Sequence, residues 1–317
     1  MLDAFSRNFF LTLAHNATLK TAASRYGMRE SNSFARRFIG GETLEEAVEV
    51  LNVLGQRGFT HTLNYLGEHV ASPPVAREAT QSYLRTIETV GAAGLPCKIS
   101  VKLSQIGLEL DPALCTDNLR QILTAARHQG GFVRLDMEGS GTVDATIEIF
   151  ETVWHEGLRN VGVVLQAYLL RTERDLQRLL ALGGRVRLCK GAYKEPEEVA
   201  YQDKADVDEA FLRLMRRLLT AGQAPAFATH DPRMIDETCR FAREQGIGAE
   251  GFEFQMLYGV RRDLQTALRD RGYGVRVYVP FGVEWFPYFM RRLAERPANV
   301  GFVIRSLVYE QMGKQSR

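Results

Sequence analysis

The sequence predicts an α/β protein: a distorted (βα)8 TIM-type barrel with an N-terminal helical extension, the helical arm covering residues 1–56 and the barrel residues 57–317. Three observations lead there. From Gly58 onward, eight short β-branched or apolar runs alternate with longer stretches of helical period. No hairpin signal joins one run to the next, which points to parallel strands with helical crossovers. The Gly-rich phosphate loop that follows the first strand of an open doubly wound sheet is absent. The 317 residues would allow two domains, but single barrels reach roughly 250 residues, so one barrel with an extension accounts for the length.

Taken in order, Leu2 to Ala23 is an amphipathic helix with an apolar stripe at Phe5, Phe9, Leu13 and Ala17, expected to pack on the barrel. Thr43 with Glu46 three residues on forms a capping-box pattern that opens the next helix at Ala47-Val48 and Val50-Leu51. The expected strands are Gly58–Thr62, Lys98–Leu103, Phe132–Met137, Gly162–Ala167, Arg185–Lys190, Ala226–His230, Gly251–Phe254 and Val275–Val279. Between and after them, helical period runs over Asp117–His128, Val143–His155, Arg171–Leu182, Asp206–Ala221, Pro232–Glu244 and Tyr258–Arg271. A last helix begins at Trp285 and is stopped by Pro297. Gly139-Ser140-Gly141-Thr142 lacks the third glycine of a dinucleotide fingerprint and reads as a turn in a βα loop.

Composition narrows the function. Forty Lys and Arg against 38 Asp and Glu leave a formal charge of +2, too little for binding nucleic acid through bulk charge. The four cysteines, Cys97, Cys115, Cys189 and Cys239, form no C-x-x-C pair and no cluster with histidine, so neither a disulfide framework nor a zinc site is expected. No stretch approaches the ~20 apolar residues of a spanning helix, and no signal peptide is legible at the N-terminus. A cytoplasmic protein is the expectation.

Barrel enzymes place their chemistry at the C-terminal ends of the strands, where the βα loops converge. The expected strands end in Lys102, Asp136, Gln166, Arg187 with Lys190, Thr229 with His230, Glu253 with Gln255, and Tyr278. Any one of these is ordinary at a strand terminus, but seven strands ending so describe a polar pocket. In the last helix, Tyr288, Arg291, Arg292 and Glu295 share one face. They make either a solvated face with an Arg292–Glu295 pair or, over the barrel mouth, a clamp whose guanidinium forks match a carboxylate. Lys102 and Lys190 could instead serve as Schiff-base nucleophiles of an aldolase, or the barrel could bind an amino acid without turnover. His230 has no second histidine near it in sequence, and a metal is not expected.

Four motifs together resemble one family. R-L-C-K-G-A-Y at Arg187 to Tyr193, A-T-H-D at Ala228 to Asp231, F-E-F-Q-M-L-Y-G at Phe252 to Gly259, and Y-x-x-R-R-x-x-E at Tyr288 to Glu295 are similar, in content and order, to proline dehydrogenase. The resemblance covers roughly Gly58 to Arg305 and is to the stand-alone bacterial form. It implies a flavoenzyme that oxidises L-proline to Δ1-pyrroline-5-carboxylate by hydride transfer to N5 of FAD and passes electrons to a membrane quinone. It also implies contact with the inner face of the membrane and a separate pyrroline-5-carboxylate dehydrogenase downstream.

The resemblance further implies individual roles. Arg187 would lie near flavin N5 as a fixed cation, with Asp136 organising the flavin and Arg187. Met137, Gln166, Cys189, Lys190, Gly191, Ala192, Thr229 and His230 would complete the FAD site. Lys102, Arg291 and Arg292 would bind the proline carboxylate, with Glu295 pairing to Lys102. Ala192, Leu257, Tyr278 and Tyr288 would shape the pocket around the proline ring. Cys189 stands where valine is expected; it would contribute backbone, although a thiol beside a flavin is open to oxidation.

Overall fold

Strand pairing in the computed structural model, which describes residues 34–294, runs β1 to β8 in sequence order and closes β8 back onto β1, all parallel. The strands are β1 (Thr60–Tyr65), β2 (Lys98–Lys102), β3 (Phe132–Asp136), β4 (Val161–Gln166), β5 (Arg185–Cys189), β6 (Ala226–Ala228), β7 (Glu253–Leu257) and β8 (Gly274–Phe281). Helix α1 (Leu44–Gln56) precedes β1. The crossovers are α2 (Pro73–Ala92), α3 (Pro112–His128), α4 (Val143–His155), α5 (Thr172–Leu182), α6 (Lys204–Ala221), α7 (Pro232–Glu244) and α8 (Arg262–Asp270), and α9 (Trp285–Ala294) follows β8. The expected TIM-type barrel is the observed fold.

Side-chain alternation explains why this barrel is not filled with aliphatic layers. Ile99, Val101, Val133, Leu135, Val163, Leu165, Val186, Leu188, Phe254, Met256, Val275 and Val277 are buried in one cluster with the inner faces of the helices. Period-two geometry sends the intervening residues to the other side of the sheet. Those include Ser100, Arg134, Asp136, Arg187, Gln255, Arg276 and Tyr278, where barrels usually carry Val, Ile or Leu. The polar interior is therefore held by a predominantly apolar outer layer, each large apolar side chain of which contributes roughly 1.5–3 kcal/mol on burial.

Helix starts follow local chemistry. Thr43 and Glu46 form the anticipated capping box at α1. Asp111 and Asp231 cap α3 and α7 by accepting from Ala113 N–H and Arg233 N–H, with Pro112 and Pro232 at the first helical position. Ser140–Thr142 is a short 3-10 turn in the β3–α4 loop, as the spacing of its two glycines suggested.

The boundaries of β1, β6, β7 and α8 differ from expectation in ways that bear on the site, each for a local reason. β1 begins at Thr60 because Gly58, with φ of 76°, closes the turn out of α1, and it runs on to Tyr65. β7 begins at Glu253 rather than Gly251, which closes a 3-10 turn over Ala249–Gly251. Glu253 therefore opens its strand at the N-terminal end of the barrel instead of ending it at the mouth. β6 stops at Ala228, so Thr229 and His230 lie just past it. α8 starts at Arg262 instead of Tyr258, because Gly259 turns the chain at φ of 75° against the carbonyl of Arg37 and the Gln265 amide occupies the Leu257 and Val260 carbonyls. The arm helix from Leu2 to Ala23 and the residues Glu295 and Pro297 lie outside the described residues.

A second apolar cluster fixes α9. Trp285, Phe286, Tyr288, Phe289, Met290 and Leu293 pack on Ala35, Phe38, Ile39 and Leu66, and Trp285 Nε1 donates to Glu42 Oε1 at 2.7 Å. The segment before α1 thus holds the last helix in place.

Candidate active site

At the centre of the barrel the Arg187 guanidinium meets the Asp136 carboxylate from two strands away. Arg187 Nη1 donates to Asp136 Oδ1 at 2.7 Å, Ser100 Oγ donates to the same oxygen at 3.0 Å, and Arg187 Nη2 donates to Ser100 Oγ at 3.2 Å. Tyr278 Oη donates to Asp136 Oδ2 at 2.7 Å, and its ring lies 5.5 Å from the Arg187 guanidinium. Burial pushes the Tyr278 phenol far up, with Asp136 adding to the effect, so the hydroxyl stays a donor. Both Asp136 oxygens are occupied, which makes Asp136 an anchor for Arg187. Tyr278 belongs to this anchor.

Nearer the mouth, Glu68 in the β1–α2 loop holds two of the expected clamp cations. Its Oε1 accepts from Lys102 Nζ and, at 2.7 Å, from Arg291 Nη2. Burial alone would raise the Glu68 carboxyl; Lys102 and Arg291 overcome that and leave it below the ordinary carboxylate range. The counter-charge expected from Glu295 comes, among the described residues, from Glu68, and Glu295 itself lies outside them. Arg291 and Arg292 also part company: Arg292 lies over the Tyr288 ring at 5.1 Å while Arg291 reaches Glu68. Successive helical residues sit about 100° apart, so two adjacent guanidiniums take different neighbours.

The β4 and β5 ends form the other wall. Gln166 Nε2 donates to the Glu138 carbonyl at 3.3 Å, while Gln166 Oε1 is buried with no hydrogen-bond partner. The Arg187 Nε is buried in the same condition. Glu138 accepts from Ser104 N–H at 3.0 Å and Ser104 Oγ at 2.6 Å; burial outweighs these bonds and raises its carboxyl. Met137 is buried beside it. Gly191 has φ of 114° and sits so close to the Tyr168 ring that a Cβ would fall 2.3 Å from it. Ala192 is exposed beyond it, and Glu195 ties this loop to Ser140 through its N–H at 2.7 Å and its hydroxyl.

The remaining expected residues are engaged in the scaffold. Lys190 Nζ sits between Asp208 and Asp231, the latter at 2.6 Å, so its charge is answered by α6 and the start of α7. Cys189 and Lys190 carbonyls accept from Ala167 and Tyr168 N–H groups. Burial pushes the Cys189 thiol up to about 11, which keeps it protonated near neutral pH. Thr229 Oγ1 accepts from Asp231 N–H at 3.1 Å. His230 Nε2 accepts from Leu257 N–H at 2.9 Å, which fixes the tautomer with the proton on Nδ1 and ties the β6 and β7 ends together. Among the described residues no three His, Cys, Asp or Glu side chains form a metal-binding group.

A family profile described as proline dehydrogenase matches residues 47–305. The chain belongs to the proline dehydrogenase family. It is 42% identical to the proline dehydrogenase of Deinococcus radiodurans over 312 residues, covering 97% of this chain and 99% of that protein. It is 41% identical to proline dehydrogenase 2 of Bacillus subtilis strain 168 over 302 residues, 95% and 98% of the two chains. Among solved structures it is similar to proline utilization A from Bdellovibrio bacteriovorus inactivated by N-propargylglycine, with a TM-score of 0.77 and 27% identity over 82% of this chain. The chain spans 32% of that longer protein. Proline dehydrogenation is thus its enzymatic activity.

For a proline dehydrogenase, the aldolase alternative has no footing in this geometry. Lys102 and Lys190 are both engaged by carboxylates, whereas a Schiff-base nucleophile needs an amine lone pair free to attack. Sequence reasoning missed Glu68, Ser100 and Glu138. Ser100 was legible, since it shares strand parity with Lys102. Glu68 was not: with β1 expected to stop at Thr62, it fell too far down the loop to count as a strand-end residue.

Proposed function

We propose that this proline dehydrogenase oxidises L-proline to Δ1-pyrroline-5-carboxylate with FAD as its acceptor and hands the electrons to a membrane quinone. The buried, partnerless Gln166 Oε1 and Arg187 Nε carry the cofactor assignment: they are an acceptor and a donor that a polar heteroaromatic ring would complete. Arg187, Gln166, Met137, Gly191, Thr229 and His230 would hold FAD, with Cys189 and Ala192 contributing backbone and Lys190 bracing the loop beneath it. When bound, the flavin supplies a two-electron acceptor for hydride.

The chain's own residues do the rest. Asp136, Ser100 and Tyr278 hold the Arg187 guanidinium so that it needs no reorganisation when negative charge develops beside it. Lys102, Arg291 and Arg292 supply cations for the proline carboxylate, which takes over from Glu68 as the partner of Lys102 and Arg291. Tyr288 and Leu257 bound the ring and keep water out.

Quinone would be met by surface contact on the cytoplasmic side; no helix among the described residues is long and apolar enough to cross a membrane. The product would pass to a separate pyrroline-5-carboxylate dehydrogenase. The chain would divide into an arm, residues 1–56, and a barrel, residues 57–317, with Ala47, Leu51 and Leu54 of α1 packed into the barrel core.

The test is the visible spectrum of the purified protein before and after anaerobic addition of L-proline. A two-banded flavin spectrum that bleaches is expected. Flavin that stays oxidised with excess proline, or protein that remains colourless with added FAD, overturns the reading.

A further inference from the structure

The N-terminal end of the barrel, opposite the mouth, holds an open cavity of about 490 Å3, within the roughly 300–1,000 Å3 of small-ligand clefts. Its lining is strongly cationic. Lys98, Arg134 and Arg185 all lie on the Phe132 ring, with charge centres 5.6, 5.0 and 5.4 Å from its centroid. Arg276 makes a fourth cation, but Glu253 meets it at 2.8 Å through both carboxylate oxygens. Among the described residues, neither Lys98 nor Arg185 forms an ion pair. Setting aside Arg187, which Asp136 answers, four cations face two carboxylates, Glu250 and Glu253, an excess of two positive charges.

This cluster is built, not incidental. Gly162 of β4 leaves the room it needs: a Cβ there would fall 2.5 Å from Arg134 Nη1 and 2.8 Å from Phe132 Cζ. Arg134 is buried and donates to the Arg185 carbonyl at 2.6 Å, which fixes its guanidinium at the cavity wall. Burial, with Arg187 nearby, pulls Arg134 down to about 9, a sign that its positive charge is poorly answered by the protein itself. Like charges gathered on one ring repel, and the Phe132 π-face offsets only part of that.

We propose that this cavity is a binding site for a small dianion of the phosphate or dicarboxylate class, held by Lys98, Arg134 and Arg185 over Phe132. Guanidinium forks match paired anionic oxygens of either ligand, and two negative charges balance the local excess. The site lies at the far end of the barrel from the Lys102–Arg291 clamp.

Calorimetric titration and thermal unfolding of the purified protein, with its cofactor bound, would use sodium phosphate and disodium succinate against NaCl at equal ionic strength. Saturable binding with stabilisation beyond NaCl is expected, weakened at least about tenfold by Arg185→Gln and by Lys98→Gln. Arg174→Gln, an exposed arginine on α5, should leave it unchanged. A response to phosphate alone assigns the phosphate class, and one to succinate alone the dicarboxylate class. No saturable excess over NaCl overturns the proposal, as does binding that persists in both variants, which would place the anion at the mouth.

Discussion

Asp136 and Arg187 meet at 2.7 Å across the barrel interior, from strands that are not neighbours, and the pair is walled in by Ser100 and Tyr278. Buried ion pairs of this kind contribute less through attraction than through what their loss leaves behind. Asp136→Ala should therefore lower stability by about 3–5 kcal/mol and reduce kcat, because Arg187 loses both its counter-ion and its orientation. Asp136→Asn, which keeps the acceptor for Tyr278, should recover part of the stability but not the rate. Equal kcat in Asp136→Asn and the parent would rule out a positioning role for the charge.

Arg291 donates one charge-assisted hydrogen bond to Glu68, and the substrate carboxylate is expected to take that place. Arg291→Met should raise the KM for proline about 10- to 150-fold, the worth of a hydrogen bond to a charged group, with the flavin spectrum unaltered. Steady-state kinetics alongside the absorption spectrum test it, and an unchanged KM would remove Arg291 from the clamp.

Glu68 has a carboxyl held below its ordinary range despite burial, by Lys102 and Arg291. A lowered folded-state value means the stabilisation is complete above the ordinary carboxylate value of about 4.3 and disappears as pH falls through the depressed one. Unfolding free energy should therefore decline on acidification below that point, and Glu68→Gln should show a shallower decline. Parallel curves for the two proteins would contradict the assignment.

All four thiols are pushed up by burial, Cys97 and Cys189 to about 11, Cys115 to about 12 and Cys239 as well. Thiolate is the nucleophile, so iodoacetamide at pH 8 should leave these cysteines unmodified in the native protein and alkylate them once it is unfolded. Peptide mass mapping distinguishes the cases; rapid native labelling of Cys189 would mean that its surroundings are wetter and more electropositive than the β5 end shown here.

Much of this protein was settled by local pattern. The alternation of β-branched runs with helical period dictates a parallel barrel, because parallel strands need a covering helix between them. Strand parity then carries Asp136 and Arg187 to the interior, and Thr43, Asp111 and Asp231 mark helix starts through hydrogen bonds only a few residues long. The tertiary structure alone decided which charges meet. Glu68 reaches Arg291 across 223 residues of chain, and Glu253 was moved from the mouth to the opposite end by a two-residue shift of its strand. Lys98, Arg134 and Arg185 come from three strands and share one ring only because the barrel closes. Hydrophobic period is a property of neighbouring residues, whereas ion pairing depends on loop paths and strand register, where one residue of slip sends a side chain to the opposite face.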